Sequence, residues 1–142
     1  MQRPKISEKT KAKIRLIAKN RCGYCLCQQE YVWDILEIDH IYPLALGGKN
    51  SEENLWLICS TCNSAKYNKT EALDIETNKT VPLFNPRKQD WNEHFRWNKN
   101  ATKIIGQTPT GRATILALNL NRDRFIKIRK HWVSAGWHPP KD

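Results

Sequence analysis

Two pairs of cysteines, Cys22-x2-Cys25 and Cys59-x2-Cys62, constrain the fold of this chain more than any other feature of its sequence. A gap of two residues lets a tight turn direct two thiolates at one ion, and two such pairs complete the tetrahedral coordination of zinc. With all four positions occupied by protein sulfur, the ion would be structural. The pattern therefore predicts a Zn²⁺ site that holds the fold together. The alternative is four reduced core cysteines.

The chain contains a fifth cysteine, Cys27, which the two pairs do not use. It could replace Cys25 as a ligand, or it could be a small buried residue. An odd number of cysteines favours a reducing compartment over a disulfide framework. The first residues lack the apolar stretch of a secretory signal, and no apolar run is long enough to cross a bilayer. We therefore expect a cytoplasmic protein without a membrane partner.

The charge of the chain points to a polyanionic partner. Lys and Arg number 24 against 14 Asp and Glu, a formal net charge of +10 over 142 residues. Such an excess favours nucleic acid, although a merely solvated basic surface is the alternative. The length suits one domain with a core and leaves little room for a second. Nothing in the sequence indicates an oligomeric state.

Hydrophobic periodicity predicts the order of elements around the cysteines. We expect a basic amphipathic helix over Ser7–Lys19 and strands over residues 31–41 and 55–59. A helix is expected over residues 60–76, after a Ser/Thr start that could cap it. The expected order is turn, strand, loop, strand and helix.

The remainder of the chain has a different texture. Residues 81–91 contain two prolines and suggest an extended crossing segment, whereas residues 104–121 suggest a strand, a turn and a short helix. A last helix should place Phe125, Ile128, Trp132 and Val133 on one face and end before Gly136. We expect a core at residues 1–80 and a basic, aromatic extension at residues 81–142 that packs on it as one domain.

Five polar residues lie between and just after the cysteine pairs: Asp39, His40, Asn54, Asn63 and Lys66. They belong to the stretch IDHIYPLALGGKNSEENLWLICSTCNSAK. This pattern resembles the HNH nuclease family in its Asp-His pair, its proline, its Gly-Gly loop and its helix-start asparagine. Asn63 stands where the name of the family implies a histidine, so the resemblance is to an HNN-type variant of the motif.

The resemblance implies an α+β fold with a small ββα-metal, treble-clef-like hairpin and helix, held by the four-cysteine zinc site and flanked by the basic helix and the C-terminal extension. It implies that Asp39 and Asn63 hold one catalytic Mg²⁺ or Mn²⁺ ion against a scissile phosphate. Asn54 would brace the loop and orient His40, and Lys66 would neutralise a neighbouring phosphate. The products would carry 5′-phosphate and 3′-hydroxyl ends.

The chemistry of the residues agrees with these roles. Histidine changes its charge near neutral pH, so His40 can take a proton from the attacking water. Carboxylate and amide oxygens such as those of Asp39 and Asn63 suit Mg²⁺ or Mn²⁺. In a regular strand Asp39 and His40 would face opposite sides, so we expect the strand to end before Pro43, where both can reach one phosphate.

The basic flank allows two interpretations. Trp91, Trp97, Trp132 and Trp137 lie among many cations, and such aromatics could stack on bases or pack a small core. The sequence as a whole predicts a metal-dependent DNA endonuclease. We expect its substrate to be double-stranded DNA, contacted mainly through the backbone. The alternative is a non-catalytic, zinc-dependent nucleic-acid-binding module.

Overall fold

The structure is a computed structural model that describes residues 5–142. These residues form two units. One runs to Thr70 and includes Asn85–Lys88, and the other consists of Glu71–Phe84 and Gln89–Asp142. The division at residues 1–80 and 81–142 stays a prediction. Within the described residues, no helix is both long enough and apolar enough to cross a membrane.

The first unit begins with helix α1, Glu8–Ile17. The hydroxyl of Ser7 caps it by accepting a hydrogen bond from the Thr10 backbone N–H at 3.1 Å. Ile14 is buried, and α1 lies against the second strand of this unit. The predicted basic helix is confirmed. It ends slightly earlier than expected, because the backbone turns to positive φ at Lys19.

A hairpin and a helix follow. Strands β1, Glu37–His40, and β2, Leu55–Ile58, pair antiparallel, so that His40 lies opposite Leu55. Helix α2, Ser60–Lys66, follows β2 directly. The expected α+β hairpin and helix are confirmed. Leu36, Leu55, Leu57 and Ile58 are buried and form most of the apolar interior around the hairpin.

Strand β1 is much shorter than the strand predicted over residues 31–41. Residues Gln29–Tyr31 form a short 3-10 helix. The Gln29 side-chain amide then donates to the Asp34 carbonyl at 2.9 Å and accepts from the Leu36 N–H at 2.8 Å. These backbone groups therefore pair with a side chain and not with a neighbouring strand. The β-branched and aromatic composition of this stretch was misleading.

The helix predicted over residues 60–76 was also wrong in its second half. Helix α2 ends at Lys66, and Tyr67 has a φ of 49°. Strand β3, Glu71–Asp74, then pairs antiparallel with β4, Lys79–Pro82. The chain therefore forms a second hairpin where helix-compatible composition suggested a continued helix.

The second unit adds a short helix, a hairpin and two longer helices. Helix α3 is Trp91–His94, strands β5, Phe95–Trp97, and β6, Ile104–Gly106, pair antiparallel, and helices α4 and α5 cover Pro109–Leu118 and Asp123–Ala135. The strand, turn and helix predicted over residues 104–121 and the final helix are confirmed.

Aromatic side chains pack within this second unit. The Trp91 ring lies 5.1 Å from Phe95 and 5.4 Å from Trp97, measured between centroids. Phe84 and Phe95 are buried edge to face. This packing supports the core interpretation of Trp91 and Trp97 over base stacking.

Candidate functional site

The sulfur atoms of Cys22, Cys25, Cys59 and Cys62 meet in the interior of the first unit. Their ligand atoms lie within 4.8 Å of one another, and all four residues are buried. Two backbone N–H groups point at the cluster: Tyr24 donates to the Cys22 sulfur at 3.5 Å, and Cys62 donates to the Cys59 sulfur at 3.4 Å. Four convergent sulfurs with supporting N–H donors fit a tetrahedral zinc.

The turn between Cys22 and Cys25 needs a glycine. A Cβ atom on Gly23 would lie 2.7 Å from the Pro86 side chain and would also overlap the Trp56 ring. The Gly23 N–H donates to the Leu57 carbonyl at 2.9 Å, which ties the turn to β2. The first cysteine pair is thus held against the strand that leads to the second pair.

The cysteine cluster favours thiolates at two of its positions. Of the contacts that Cys59 makes, the one with Cys22 opposes its ionisation. Hydrogen bonds from Cys25, Cys27 and Cys62 nevertheless lower the pKa of Cys59 to about 5. For Cys22, hydrogen bonds from the neighbouring thiols outweigh the effect of burial and lower its pKa. Thiolates are the form that binds zinc.

Cys27 lies beside this cluster but is not one of the four clustered ligands. It is buried, and its backbone carbonyl accepts from the Cys22 N–H at 3.0 Å. Contacts with Cys22, Cys25 and Cys59, followed by burial, raise the pKa of the Cys27 thiol. Its position outside the four clustered ligands favours the interpretation of Cys27 as a small buried residue.

A second group of polar side chains lies where α2 faces β1. The Asn63 amide donates to the Glu37 carboxylate at 2.6 Å, and the Lys66 ammonium lies 3.1 Å from the Asp39 carboxylate. Glu37 and Asp39 are two positions apart on the strand, whereas Asn63 and Lys66 are three apart on the helix. Both spacings keep neighbours on one face. Three oxygen-bearing side chains, Glu37, Asp39 and Asn63, therefore share this face.

Asp39 and Lys66 form an ion pair inside the protein. The side chains of Lys66 and Asp39 are 1% and 9% exposed. Burial raises the pKa of Asp39, and the charge of Lys66 opposes that effect. Lys66 also donates to the His40 carbonyl at 3.2 Å. The role expected for Lys66, at a DNA phosphate, does not fit a side chain that is closed off from solvent in this way.

The His40 ring points toward the loop that joins the two strands. Its Nε2 atom lies 2.7 Å from the Asn50 Oδ1 atom. With the amide in this orientation the oxygen can only accept, so Nε2 is the donor of this bond, and in the neutral ring that arrangement leaves the lone pair on Nδ1. His40 is therefore held in the tautomer in which Nδ1 is able to accept a proton.

Asn54 fastens the two ends of the same loop. Its Oδ1 atom accepts from the Tyr42 N–H at 2.8 Å, and its amide donates to the carbonyls of Tyr42 and Lys49 at 2.9 and 2.7 Å. Within the part of the chain that the structure describes, it does not hydrogen-bond to the His40 ring. Asn54 thus acts on the loop backbone, and Asn50 holds the imidazole.

Sequence reasoning missed Glu37 and Asn50. Glu37 had a usable signal, because a residue two positions before Asp39 on a strand shares its face. Asn50 had none, since its approach to His40 depends on the path of the chain over the ten positions that separate the two residues. The amide of Asn50 is one of several in a polar stretch, and nothing in the pattern distinguishes it.

Comparison with known families locates this arrangement in the chain. The family model described as HNH endonuclease matches residues 22–69. The matched segment contains both cysteine pairs and all the polar residues described above. A comparison with curated proteins gives no match.

Proposed function

We propose, from the premise that residues 22–69 match the HNH endonuclease family, that this protein hydrolyses phosphodiester bonds in DNA with the help of one divalent ion. One observation carries the proposal. His40 is held by Asn50 through Nε2, and among residues 5–142 its Nδ1 atom has no hydrogen-bond partner; the neighbouring residue Asp39 shares an oxygen-rich face with Glu37 and Asn63. Phosphodiester hydrolysis requires a base and a bound cation, and His40 and Asp39, sequence neighbours at the end of β1, would supply the base and one ligand of the cation.

The donors on this face fit a hard cation. Glu37 and Asp39 offer carboxylate oxygens and Asn63 offers an amide oxygen, a set that suits Mg²⁺ or Mn²⁺ better than zinc. When bound, such an ion would supply positive charge to the phosphate oxygens as the bond breaks. An ion would compete with two existing contacts, the Asn63 bond to Glu37 and the Lys66 bond to Asp39.

His40 would act as the general base. Its Nδ1 atom would accept a proton from the water that attacks the phosphorus. The Oδ1 atom of Asn50 would then stabilise the resulting imidazolium by accepting the hydrogen bond from Nε2. Lys66 would be a positioning residue, because it fixes the backbone of His40 and the side chain of Asp39 from the interior. Asn54 would keep the loop, and therefore Asn50, in place.

The two metal sites would have separate tasks. The sulfur cluster leaves no ligand position for water or substrate, so its zinc would stabilise the fold. The thiols require reducing conditions, which supports a cytoplasmic location. By the family resemblance, the substrate would be double-stranded DNA contacted mainly along its backbone. The products would have 5′-phosphate and 3′-hydroxyl ends.

One observation favours a second candidate, a zinc-stabilised nucleic-acid-binding module without catalysis. Lys66 already neutralises Asp39 in the interior, and an ion pair closed in this way could be a purely structural element. The two candidates differ in a simple respect. A binding module would not need the free Nδ1 atom of His40.

Nicking of a supercoiled plasmid tests the proposal. The zinc-loaded protein should convert the plasmid to open-circle and linear forms in Mg²⁺ or Mn²⁺, and His40→Ala should lower the rate by about 10²- to 10⁴-fold. Glu93→Ala, at an exposed residue of the second unit outside both proposed sites, is the control and should cut normally. Zinc content and the melting temperature must be the same in all three proteins.

Two results would contradict the nuclease assignment. The first is a wild-type protein that binds DNA but does not cut it with either ion. The second is cutting that survives His40→Ala, which would point to a different base or to a contaminating nuclease. The first result together with intact zinc would favour the binding module.

A further inference from the structure

The positive charge of this protein is concentrated in one part of the chain. Residues 95–142 contain ten Lys and Arg against two Asp and Glu, a net +8 of the total +10. The preceding residues, which include the HNH segment, carry only the remaining +2. Thiolates at a zinc site would reduce that figure further. The nuclease segment thus supplies little of the attraction for a polyanion.

Several cations of this region hold the fold together and are not available to a partner. Arg129 is buried and donates to the carbonyls of Thr102 and Leu120 at 3.1 and 2.8 Å. Arg122 donates to the carbonyls of Asn119 and Leu118, and so caps the end of α4. The guanidinium groups of Arg122 and Arg129 are therefore hydrogen-bonded to backbone carbonyls of the second unit.

Three other cations on α5 are exposed: Arg124, Lys127 and Lys130. Within residues 5–142 none of the three takes part in an ion pair or a side-chain hydrogen bond. Their spacing of three residues places them along the side of α5 opposite to Arg129. We call Arg124, Lys127 and Lys130 the outer face of α5. Asp123, in the first turn, is the one acidic residue of this helix.

The other basic helix, α1, differs in this respect. Lys11 pairs with Glu8 at 3.4 Å, and Lys13 pairs with Glu52 at 3.1 Å. Arg15 donates to the Leu36 carbonyl at 2.8 Å. Sequence alone makes α1 and α5 look equally basic, but the cations of α1 are largely engaged and those on the outer face of α5 are not.

We infer that the outer face of α5 binds the phosphate backbone of nucleic acid. Its three cations span about 9 Å of helix axis, and phosphates of one strand recur about every 3.4 Å along a duplex, so the face can meet two or three of them. The inference deepens and rests on the proposed function, because the same DNA would be the substrate. Binding at α5 would raise the concentration of DNA around the HNH segment of the same chain.

Salt-dependent binding of a fluorescein-labelled DNA duplex tests this inference. The full chain is used with its zinc and without Mg²⁺ or Mn²⁺, and anisotropy is measured from about 50 to 200 mM salt. Replacing Arg124, Lys127 and Lys130 with Gln should weaken binding about ten- to a hundredfold at low salt. It should also reduce the slope of log affinity against log salt by roughly two to three.

Two matched variants make the measurement specific. Lys9, Lys11 and Lys13 changed to Gln remove the same charge from α1 and should weaken binding much less. Arg124→Lys combined with Lys127→Arg and Lys130→Arg retains every charge on α5 and should bind as the wild type does. A melting temperature of the Gln variant equal to that of the wild type shows that its loss of binding does not come from misfolding of α5.

The outcomes separate this inference from the proposed function. Weak binding of the α5 Gln variant alone supports the inference, whether or not the protein cuts DNA. Unchanged binding and slope in that variant would overturn it, as would an equal loss in the α1 variant. Loss of binding to anionic phosphatidylserine vesicles in the α5 Gln variant, with DNA binding unaffected, would also overturn it. That result would assign the outer face of α5 to a lipid surface.

Discussion

Each of the two units contains a buried aspartate, and the two carboxylates differ in the number of groups that donate to them. Asp74, in the second unit, accepts from Arg112 Nε and Nη2, both at 3.0 Å, and from the Thr77 hydroxyl at 2.7 Å. Asp39, in the first unit, is paired within residues 5–142 with one group, the Lys66 ammonium at 3.1 Å. Both carboxylates lie in the interior, and only one of them is fully engaged.

The difference in partners has opposite effects on ionisation. Hydrogen bonds from Arg112 hold the pKa of Asp74 below its usual range. Burial raises the pKa of Asp39 despite Lys66. A fully bonded carboxylate stabilises its unit, whereas an under-bonded one is costly to bury. The cost at Asp39 is understandable if its carboxylate has a task as an ion ligand, and this comparison supports the proposed role.

Removal of zinc should cause the largest loss of stability. The loss should fall on the first unit, which contains Asp39, because the cysteine ligands lie there and not in the unit of Asp74. Structural zinc contributes about 10 to 16 kcal/mol in small domains, more than the stability of most domains. We expect a strong chelator, or Cys59→Ser, to expose the amides of β1 and α2 to hydrogen exchange before those of α4. Equal loss of protection in β1 and α4, or no loss, would contradict this expectation.

Breaking the Asp39–Lys66 pair should have the next largest effect. Lys66→Met leaves a buried carboxylate without its partner and should lower the free energy of unfolding by about 3 kcal/mol. The loss would appear as release of zinc at a lower urea concentration. The double variant Asp39→Asn, Lys66→Met removes both charges and should recover to within about 1 kcal/mol of the wild type. A double variant whose loss equals the sum of the two single losses would show that the two charges do not stabilise each other, and would contradict this expectation.

Asp74→Asn should destabilise the second unit, because two charge-assisted hydrogen bonds from Arg112 are lost. We expect its melting temperature to fall by roughly 10 °C. Glu76→Gln is the matched control: Glu76 also contacts Arg112, but its side chain is 66% exposed, so the shift should be small. Equal shifts in the two variants would show that the burial of Asp74 contributes nothing.

The smallest effect concerns the response of the two aspartates to acid. Because the pKa of Asp74 is held low, its stabilising contribution is present above about pH 4 and is lost as the pH falls further. The gap in urea midpoint between wild type and Asp74→Asn should therefore narrow as the pH falls from about 4 to 2. For Asp39, whose pKa is raised by burial, the sign is opposite: wild type should gain stability relative to Asp39→Asn as the pH falls toward the range in which a carboxyl group takes up its proton. Parallel pH trends would remove the distinction between the two sites.

Local patterns explain why much of this site was predictable. The spacing of the cysteines and the stretch from Asp39 to Pro43 encode a turn, a strand end and a helix start within a few residues, so the zinc cluster and the fold class follow from the sequence. The family match over residues 22–69 agrees with the resemblance. These features depend on neighbours in the chain.

The features that were missed depend on residues distant in sequence. The burial of Lys66 follows from the way α2 faces β1, which brings residues 39 and 66 together. The engagement of α1 cations with Glu52 and Leu36 has the same origin. The Gln29 side chain takes the place of a strand partner for residues 34–36, and no periodic pattern in the sequence marks this contact. A single sequence contains no signal for such contacts.

The proposed role of Asp39 as a ligand of the ion that supports cleavage can be tested directly. Plasmid cutting by wild type and by Asp39→Asn is compared over a range of Mn²⁺ concentrations, with zinc content and His40 intact in both. We expect the wild type to cut the plasmid and the cutting rate of Asp39→Asn to be at least about a hundredfold lower. High Mn²⁺ should restore part of that rate. Equal rates with the same Mn²⁺ dependence would contradict it.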